Sequence, residues 1–168
     1  TCLLKGLIRG SYVPSELIQQ LRQYDRRIFE LNKEIVRKLT KLDACLQRCN
    51  IRISNYVSTT ESKSYQDVVK KLAAGISSTE ELFKCIHNRT VNKWGKDTIL
   101  AALTGLVTEV DADIIGDYWT EVQLAKQHKQ KYQDKMLDIC KEHFPKEMER
   151  LQTIPGIKER SATSIIAE

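Results

Sequence analysis

Apolar residues recur at alternating spacings of four and three along the first third of the chain. The positions are Leu17, Leu21, Tyr24, Ile28, Leu31, Ile35, Lys38, Leu42, Cys45 and Cys49. This heptad spacing is typical of a helix that packs one face against another helix, and Lys38 is its one long polar member. Pro14 and Ser15 form a helix-start signal. We predict one helix over about 15–50, roughly 50 Å long at 1.5 Å per residue.

A second long segment has the same alternation of apolar positions. Its seam is Ile115, Tyr118, Val122, Ala125, Lys129, Tyr132, Met136, Ile139 and His143, and the face is widened by Ile114, Trp119, Leu124 and Cys140. The spacing predicts a helix over about 112–143. Neither helix can bury its stripe alone, so we expect the two to pack antiparallel as one coiled-coil arm.

Shorter elements are predicted between and after the two long segments. Ser64, Ser78 and Asp97 are helix-start residues for three short helices, which form a cap over about 58–108. Residues 87–97 are expected to form a loop. After a break at Phe144-Pro145, residues 154–157 predict a hairpin and a last helix from about Lys158. The expected fold is all-α: a long antiparallel coiled-coil arm, a cap of short helices and a C-terminal helix-hairpin-helix-like element.

Composition agrees with long helices and few turns. Only 7 Gly and 3 Pro occur in 168 residues. The longest mainly apolar run, 98–107, is about half of the ~20 residues that cross a bilayer, so we expect no membrane partner. Five unevenly spaced Cys residues favour a reducing cytoplasm. Cys45 with Cys49 and Cys140 with His143 have the spacing of zinc half-sites, but buried free thiols are the favoured interpretation and we expect no metal there.

The net charge of +5 is concentrated near the start of the chain. Residues 1–14 carry two bases and no acid, and residues 15–50 carry eight bases and five acids, so the remainder sums to zero. A basic stripe lies along the first helix, away from the seam: Arg22, Arg26, Lys33, Arg37 and Lys41. Such a stripe is typical of contact with a nucleic-acid backbone. The alternative is a solvated helix face, because Glu30 and Glu34 interrupt it.

Two other segments are candidates for nucleic-acid contact. In 87–97, Arg89, Lys93 and Lys96 surround Trp94, an aromatic residue that could stack on a base; the alternative is a polar loop anchored by a buried Trp. In 151–166, Gly156 and Lys158 belong to a helix-hairpin-helix pattern that could present backbone N–H groups to a phosphate. A purely structural turn is the alternative there.

No catalytic site is predicted in this chain. An acidic row, Glu109, Asp113, Asp117 and Glu121, has helical spacing and could hold a divalent metal. The favoured interpretation is that these acids lie in the first turns of a helix, where the dipole stabilises them. No Gly-rich phosphate loop, nucleophile elbow or Ser/His/Asp order is visible.

Four stretches of the chain together resemble a known family. They are LLKGLIRGSYVPSELIQQLRQYDRRI, NIRISNYVST, DTILAALTG and LQTIPGIKERSATSIIAE. In order and spacing they are similar to the middle region of the insertion-sequence one-ten family of bacterial transposases, DEDD-type recombinases guided by a bridge RNA. The resemblance covers essentially the whole chain, and residues 151–157 match the family's LxTIPGI element.

The resemblance implies that the chain is a piece of a larger enzyme. Residues 1–14 would lead in from a RuvC-like domain, 15–150 would be the dimerising arm with its cap, and 151–168 would open the C-terminal transposase domain. The acidic tetrad, which would bind Mg²⁺ in the parent enzyme, would precede Thr1, and the nucleophilic serine would follow Glu168. The implied partners are DNA, the guide RNA and a second copy of the chain, in a bacterial cytoplasm.

Two other functional classes remain open from the sequence. One is a structural coiled-coil interaction module without a nucleic-acid ligand. The other is a helix-hairpin-helix DNA-binding protein of another class, in which 151–168 is the working part. A third alternative, a zinc-bound helical bundle, is remote.

Overall fold

The structure, a computed structural model, describes residues 13–168 and is all-helical over that range. This confirms the predicted all-α class. The helices are α1 (Glu16–Arg48), α2 (Lys63–Ala73), α3 (Thr79–Phe83), α4 (Asn88–Trp94), α5 (Lys96–Leu103), α6 (Glu109–His143), α7 (Pro145–Gln152) and α8 (Glu159–Ala167). A 3₁₀ turn, Ile53–Asn55, follows α1. The predicted lead-in over 1–14 falls almost wholly outside the described residues.

The two long helices lie where the apolar spacing predicts them. α1 ends two residues before the expected boundary, and α6 begins three residues before the expected start. The early start of α6 has a local cause in Thr108 and Asp111. The Thr108 Oγ1 accepts the Asp111 N–H at 3.2 Å, and the Asp111 carboxylate accepts the Thr108 N–H at 3.2 Å. This is a capping box, in which two residues satisfy each other's backbone donors at a helix start.

The prediction of a loop over 87–97 is wrong, because this segment contains α4 and the start of α5. The His87 Nδ1 accepts the Arg89 N–H at 3.1 Å, so His87 caps α4. Gly95, at φ 85°, then separates α4 from α5. The cap therefore has four short helices instead of three. A seven-residue helix shows no apolar period in sequence, which is why composition alone indicated a loop.

Residues 31–128 form one compact unit. Two ion pairs show that α1 and α6 run antiparallel within it: Lys38 Nζ lies 2.8 Å from Glu121 Oε2, and an Arg48 guanidinium nitrogen lies 3.2 Å from Asp111 Oδ1. The core joins these helices to the cap. Its fully or nearly fully buried members include Leu42, Leu46, Ile51, Ile53, Tyr65, Val68, Val69, Leu72, Leu82, Ile99, Leu103 and Ile115.

The segment after α1 is held against the segment after α5 by backbone contacts. The Leu106 N–H donates to the Cys49 carbonyl at 3.2 Å, and the Arg52 N–H donates to the Ala102 carbonyl at 2.7 Å. Gly105 makes this approach possible, since a Cβ built there would lie 2.0 Å from the Cys49 carbonyl oxygen. The turn that carries residues 55–58 is thereby fixed beside the short helices.

A second compact unit comprises the described residues up to Glu30 together with 129–168. Its core is small: Leu21, Ile28, Met136, Cys140, Met148, Ala162 and Ala167. The rings of Tyr24 and Tyr132 lie 5.6 Å apart, centroid to centroid. The Ser164 hydroxyl donates to Asp25 at 2.8 Å and ties α8 to α1. The expected domain boundary at residue 151 stays a prediction.

At two places in α6, the buried residue is the one that follows the predicted seam position. Trp119 and Cys140 are buried, whereas the neighbouring Tyr118 and Ile139 are only half-buried and His143 is exposed. An α-helix has 3.6 residues per turn, so its buried face drifts relative to a strict heptad. No helix of the described residues is long and apolar enough to span a bilayer.

Candidate nucleic-acid interface

Three of the basic residues that were predicted to contact nucleic acid form a row on the exposed side of α1. Lys33, Arg37 and Lys41 follow one another at four-residue steps and are all exposed. The seam residues Ile35 and Leu42 of the same helix are buried. Within residues 13–168, Arg37 and Lys41 make no ion pair. We call Lys33, Arg37 and Lys41 the basic row.

The other compact unit contains Arg22 and Arg26, which differ from each other in exposure to solvent. Arg26 is exposed. Arg22 is half-buried, its Nε donates to the Ala167 carbonyl at 2.9 Å, and its NH2 group donates to the Glu168 carbonyl. These carbonyls end α8, where a cation is favourable. Arg22 therefore stabilises the packing of α8 and is a poor reporter of ligand binding.

A groove runs between α4 and the turn that follows α1. Arg89, Thr90, Lys93 and Trp94 lie on one side of α4 because they are spaced by one, three and four residues. The facing wall is the segment 55–58. The full lining of this groove, which has a volume of about 420 Å³, is Asn55, Tyr56, Val57, Ser58, Arg89, Thr90, Lys93 and Trp94. We call it the Tyr56/Trp94 groove.

Trp94 is an exposed wall of the groove. The residue is 41% exposed, so the alternative of a buried Trp that anchors a loop is wrong. The Tyr56 ring meets it edge-on, with centroids 5.6 Å apart and planes at 81°. Lys93 Nζ lies 4.8 Å from the centroid of the indole. A cation–π contact at such an exposed site contributes about 0.5–1 kcal/mol.

The other predicted basic residue of this segment, Lys96, does not line the groove. It is exposed in the first turn of α5. Sequence reasoning missed Asn55, Tyr56 and Ser58 as members of the site. They lie more than 30 positions before Trp94 in the sequence. Only the packing of the cap brings the two segments together.

The C-terminal hairpin has the predicted turn geometry. Gly156 adopts φ 92°, in the left-handed region that favours glycine, and the Ile157 N–H donates to the Ile154 carbonyl at 3.1 Å. Lys158 is exposed in extended backbone at the start of α8. Met148 of α7 and Ala162 of α8 are buried in the same core. The turn therefore packs two helices together and leaves Gly156 and Lys158 exposed.

The acids and thiols of the described residues are not gathered into a cluster of metal ligands. No group of three or more His, Cys, Asp or Glu side chains over residues 13–168 could hold a metal ion. Glu121 of the acidic row pairs with Lys38. Burial raises the pKa of the Cys140 thiol to about 11. The described residues therefore do not fit the Mg²⁺ that the resemblance implies for the parent enzyme.

Comparison with known proteins adds no relative. No protein-family model, no curated protein and no solved structure matches the chain.

Proposed function

We propose that this chain is the helical scaffold of a transposase similar to the insertion-sequence one-ten family, and that it contacts nucleic-acid backbones. The observation that carries the proposal is the basic row. Its three cations lie on one exposed side of a continuous helix, and Arg37 and Lys41 have no ion-pair partner among the described residues that would compete with a ligand. Such residues bind phosphates because counterions are released when charges are neutralised.

The spacing of the basic row suits a phosphate backbone. At 1.5 Å per residue, successive members lie about 6 Å apart along the helix axis. Long Lys and Arg side chains adjust this spacing further, so three consecutive contacts are within reach. The contacts would carry no sequence information, since phosphates position a protein and bases specify it. The scaffold thus holds a strand without selecting it.

The resemblance supplies the biological setting of the proposal. In that setting the partners are target or element DNA and a guide RNA, in a bacterial cytoplasm. DNA strand cleavage and transfer belong to the parent enzyme and would use its acidic tetrad with Mg²⁺ and its serine. The all-helical fold of the described residues, with its two long packed helices, agrees with the coiled-coil region of that family. The role assigned to this chain is to bind and to position.

Charge reversal in the basic row tests the proposal. We expect Arg37→Glu combined with Lys41→Glu to weaken binding of a structured RNA hairpin about tenfold or more at low salt, because two phosphate contacts become repulsive. The measurement is a fluorescence-anisotropy titration. The matched control is Lys146→Glu with Arg150→Glu, which makes the same charge change on exposed positions of α7.

The control separates local contact from net charge. Equal weakening by both double variants would show that only overall charge matters and would contradict the proposal. Loss of binding in Lys158→Glu with none in the row variant would contradict it too, and would instead favour the helix-hairpin-helix alternative. Circular dichroism on each variant verifies that the helices are retained.

Self-association is the second part of the proposed scaffold role. Val110 and Leu124 of α6 are 65% and 50% exposed. They are two heptads apart and lie on the same side of the helix, as expected for a contact with another helix. We predict a dimer by light scattering at tens of micromolar, and a monomer for Val110→Glu with Leu124→Glu. A monomeric wild-type chain would contradict this part.

A further inference from the structure

We propose that the Tyr56/Trp94 groove binds an unpaired nucleotide of single-stranded nucleic acid. This inference builds on the proposed function, because it assigns to the groove the part of the ligand that the basic row does not contact. The base would lie against Trp94, and its phosphate would lie at Arg89. Neither the resemblance nor the comparisons assign a ligand to these residues.

The size of the groove suits one nucleotide. Its volume of about 420 Å³ is within the range of sites that take small organic ligands, roughly 300–1,000 Å³. A double helix cannot enter such a site with a stacked, paired base. Only a base that is already out of a duplex presents its flat face and its hydrogen-bonding edge.

The aromatic walls provide a stacking surface. Trp94 is exposed, and the edge-on Tyr56 ring at 81° limits how far a flat group can slide past it. Lys93 now lies over the indole. Lysine is flexible, and base stacking on an aromatic ring is the stronger contact, so a base can displace the ammonium group. Lys93 also lines the groove, so its displaced ammonium group would meet the phosphate of the same strand.

The polar lining matches the rest of a nucleotide. Asn55 offers both donors and an acceptor, and Ser58 and Thr90 offer hydroxyl groups that donate or accept. This mixture suits the edge of a base better than it suits a purely anionic group. Arg89 is exposed and, as far as the structure describes the chain, makes no ion pair. Its planar guanidinium is well shaped for a phosphate.

Intrinsic tryptophan fluorescence tests the inference in the full chain. The chain has two Trp residues, and Trp119 is buried in the core at 9% exposure. In a Trp119→Phe background the signal therefore comes from Trp94 alone. The probes are single-stranded oligouridylate, the corresponding DNA strand, and an abasic strand of equal length. We expect quenching by the two strands with bases and little quenching by the abasic strand.

Substitutions then assign the site. We expect Trp94→Ala and Arg89→Gln each to weaken single-strand binding about tenfold, measured by anisotropy of a labelled strand. Lys96→Ala removes an exposed charge beside the groove and should leave binding almost unchanged. Arg89→Gln keeps the inference testable if Trp94→Ala unfolds the cap. Equal affinity for the abasic strand, or unchanged binding in Arg89→Gln, would overturn the inference.

The outcome is distinguishable from failure of the proposed function. The basic row is tested by charge reversal with an RNA hairpin, and the groove is tested by comparing single strands with and without bases. If the basic row does not bind RNA, hairpin binding will be unchanged in the Arg37→Glu, Lys41→Glu variant. If the groove does not bind a base, the chain will have equal affinity for the base-containing and the abasic strands. A preference between the RNA and DNA strands would support the inference and identify the sugar of the ligand.

Discussion

At the residue scale, the Cys49 carbonyl oxygen lies where a side chain at position 105 would begin. The distance of 2.0 Å to an added Cβ is far below van der Waals contact, and the obstacle is backbone, so it cannot rotate away. The same glycine precedes Leu106, whose N–H donates to that carbonyl. Gly105 is therefore required by packing between two backbone segments.

We predict that Gly105→Ala lowers the free energy of unfolding by about 1–3 kcal/mol, the usual cost of forcing extra volume into a packed site. Gly116→Ala is the matched control. Its added Cβ would meet Ala73 Cβ at 3.6 Å, an ordinary contact, inside α6. Alanine is the better helix former, so this variant should gain about 0.5–1 kcal/mol. Urea denaturation measures both, and a neutral Gly105→Ala would contradict the close approach.

Single residues also show what sequence could not reveal. Arg22 has the spacing of the basic stripe, yet its guanidinium is engaged by the carbonyls that end α8, nearly the whole chain away. Lys38 interrupts an apolar seam and is matched by Glu121. Both partners are distant in sequence. Periodicity assigns a residue to a face but not to its partner across the fold.

At the element scale, α6 begins where its capping box places it. The apolar period starts later, at Ile115, and for this reason sequence analysis placed the start at about residue 112. Hydrogen bonds from Thr108 hold the pKa of Asp111 below its ordinary value of 3.8. The stability that this cap contributes is therefore fully present above the ordinary pKa of an aspartate. It is lost as the pH falls through the lowered pKa of Asp111 in the folded chain.

We predict that Thr108→Ala destabilises the chain by about 1 kcal/mol through loss of the side-chain cap. Thr120→Ala is the control, since Thr120 is exposed in the middle of α6. Alanine should be neutral or slightly stabilising there. Thermal denaturation compares the two. An unchanged melting temperature for Thr108→Ala would show that the hydrogen bonds of Thr108 do not stabilise the start of α6.

The short helices were the least predictable elements. α4 has seven residues and no buried member. Its helical state depends on the cap from His87 and on its neighbours, and neither leaves a repeating pattern in the sequence. This element supplies half of the residues that line the Tyr56/Trp94 groove. Part of the candidate site was thus predicted from the sequence, namely its basic side chains and the indole of Trp94. Their arrangement on a helix and their partners in 55–58 were not predicted.

At the scale of the whole molecule, the sequence predicted the all-α class and both long helices, because a stripe sustained over many turns is a strong signal. It did not predict the two compact units, which are set by contacts between distant segments. The arrangement of the basic row was the part of the candidate interface best predicted from the sequence. Its members are local to one helix, so their common side follows from helical geometry alone.

The most direct test of the proposed nucleic-acid role is the salt dependence of RNA binding. We predict that the logarithm of the association constant for a structured hairpin falls linearly with the logarithm of salt concentration, by about 0.7–0.9 per phosphate contact. The Arg37→Glu, Lys41→Glu variant removes two contacts and should therefore reduce this slope by about 1.4–1.8. Absence of binding at low salt, or an identical slope in the variant, would contradict the account.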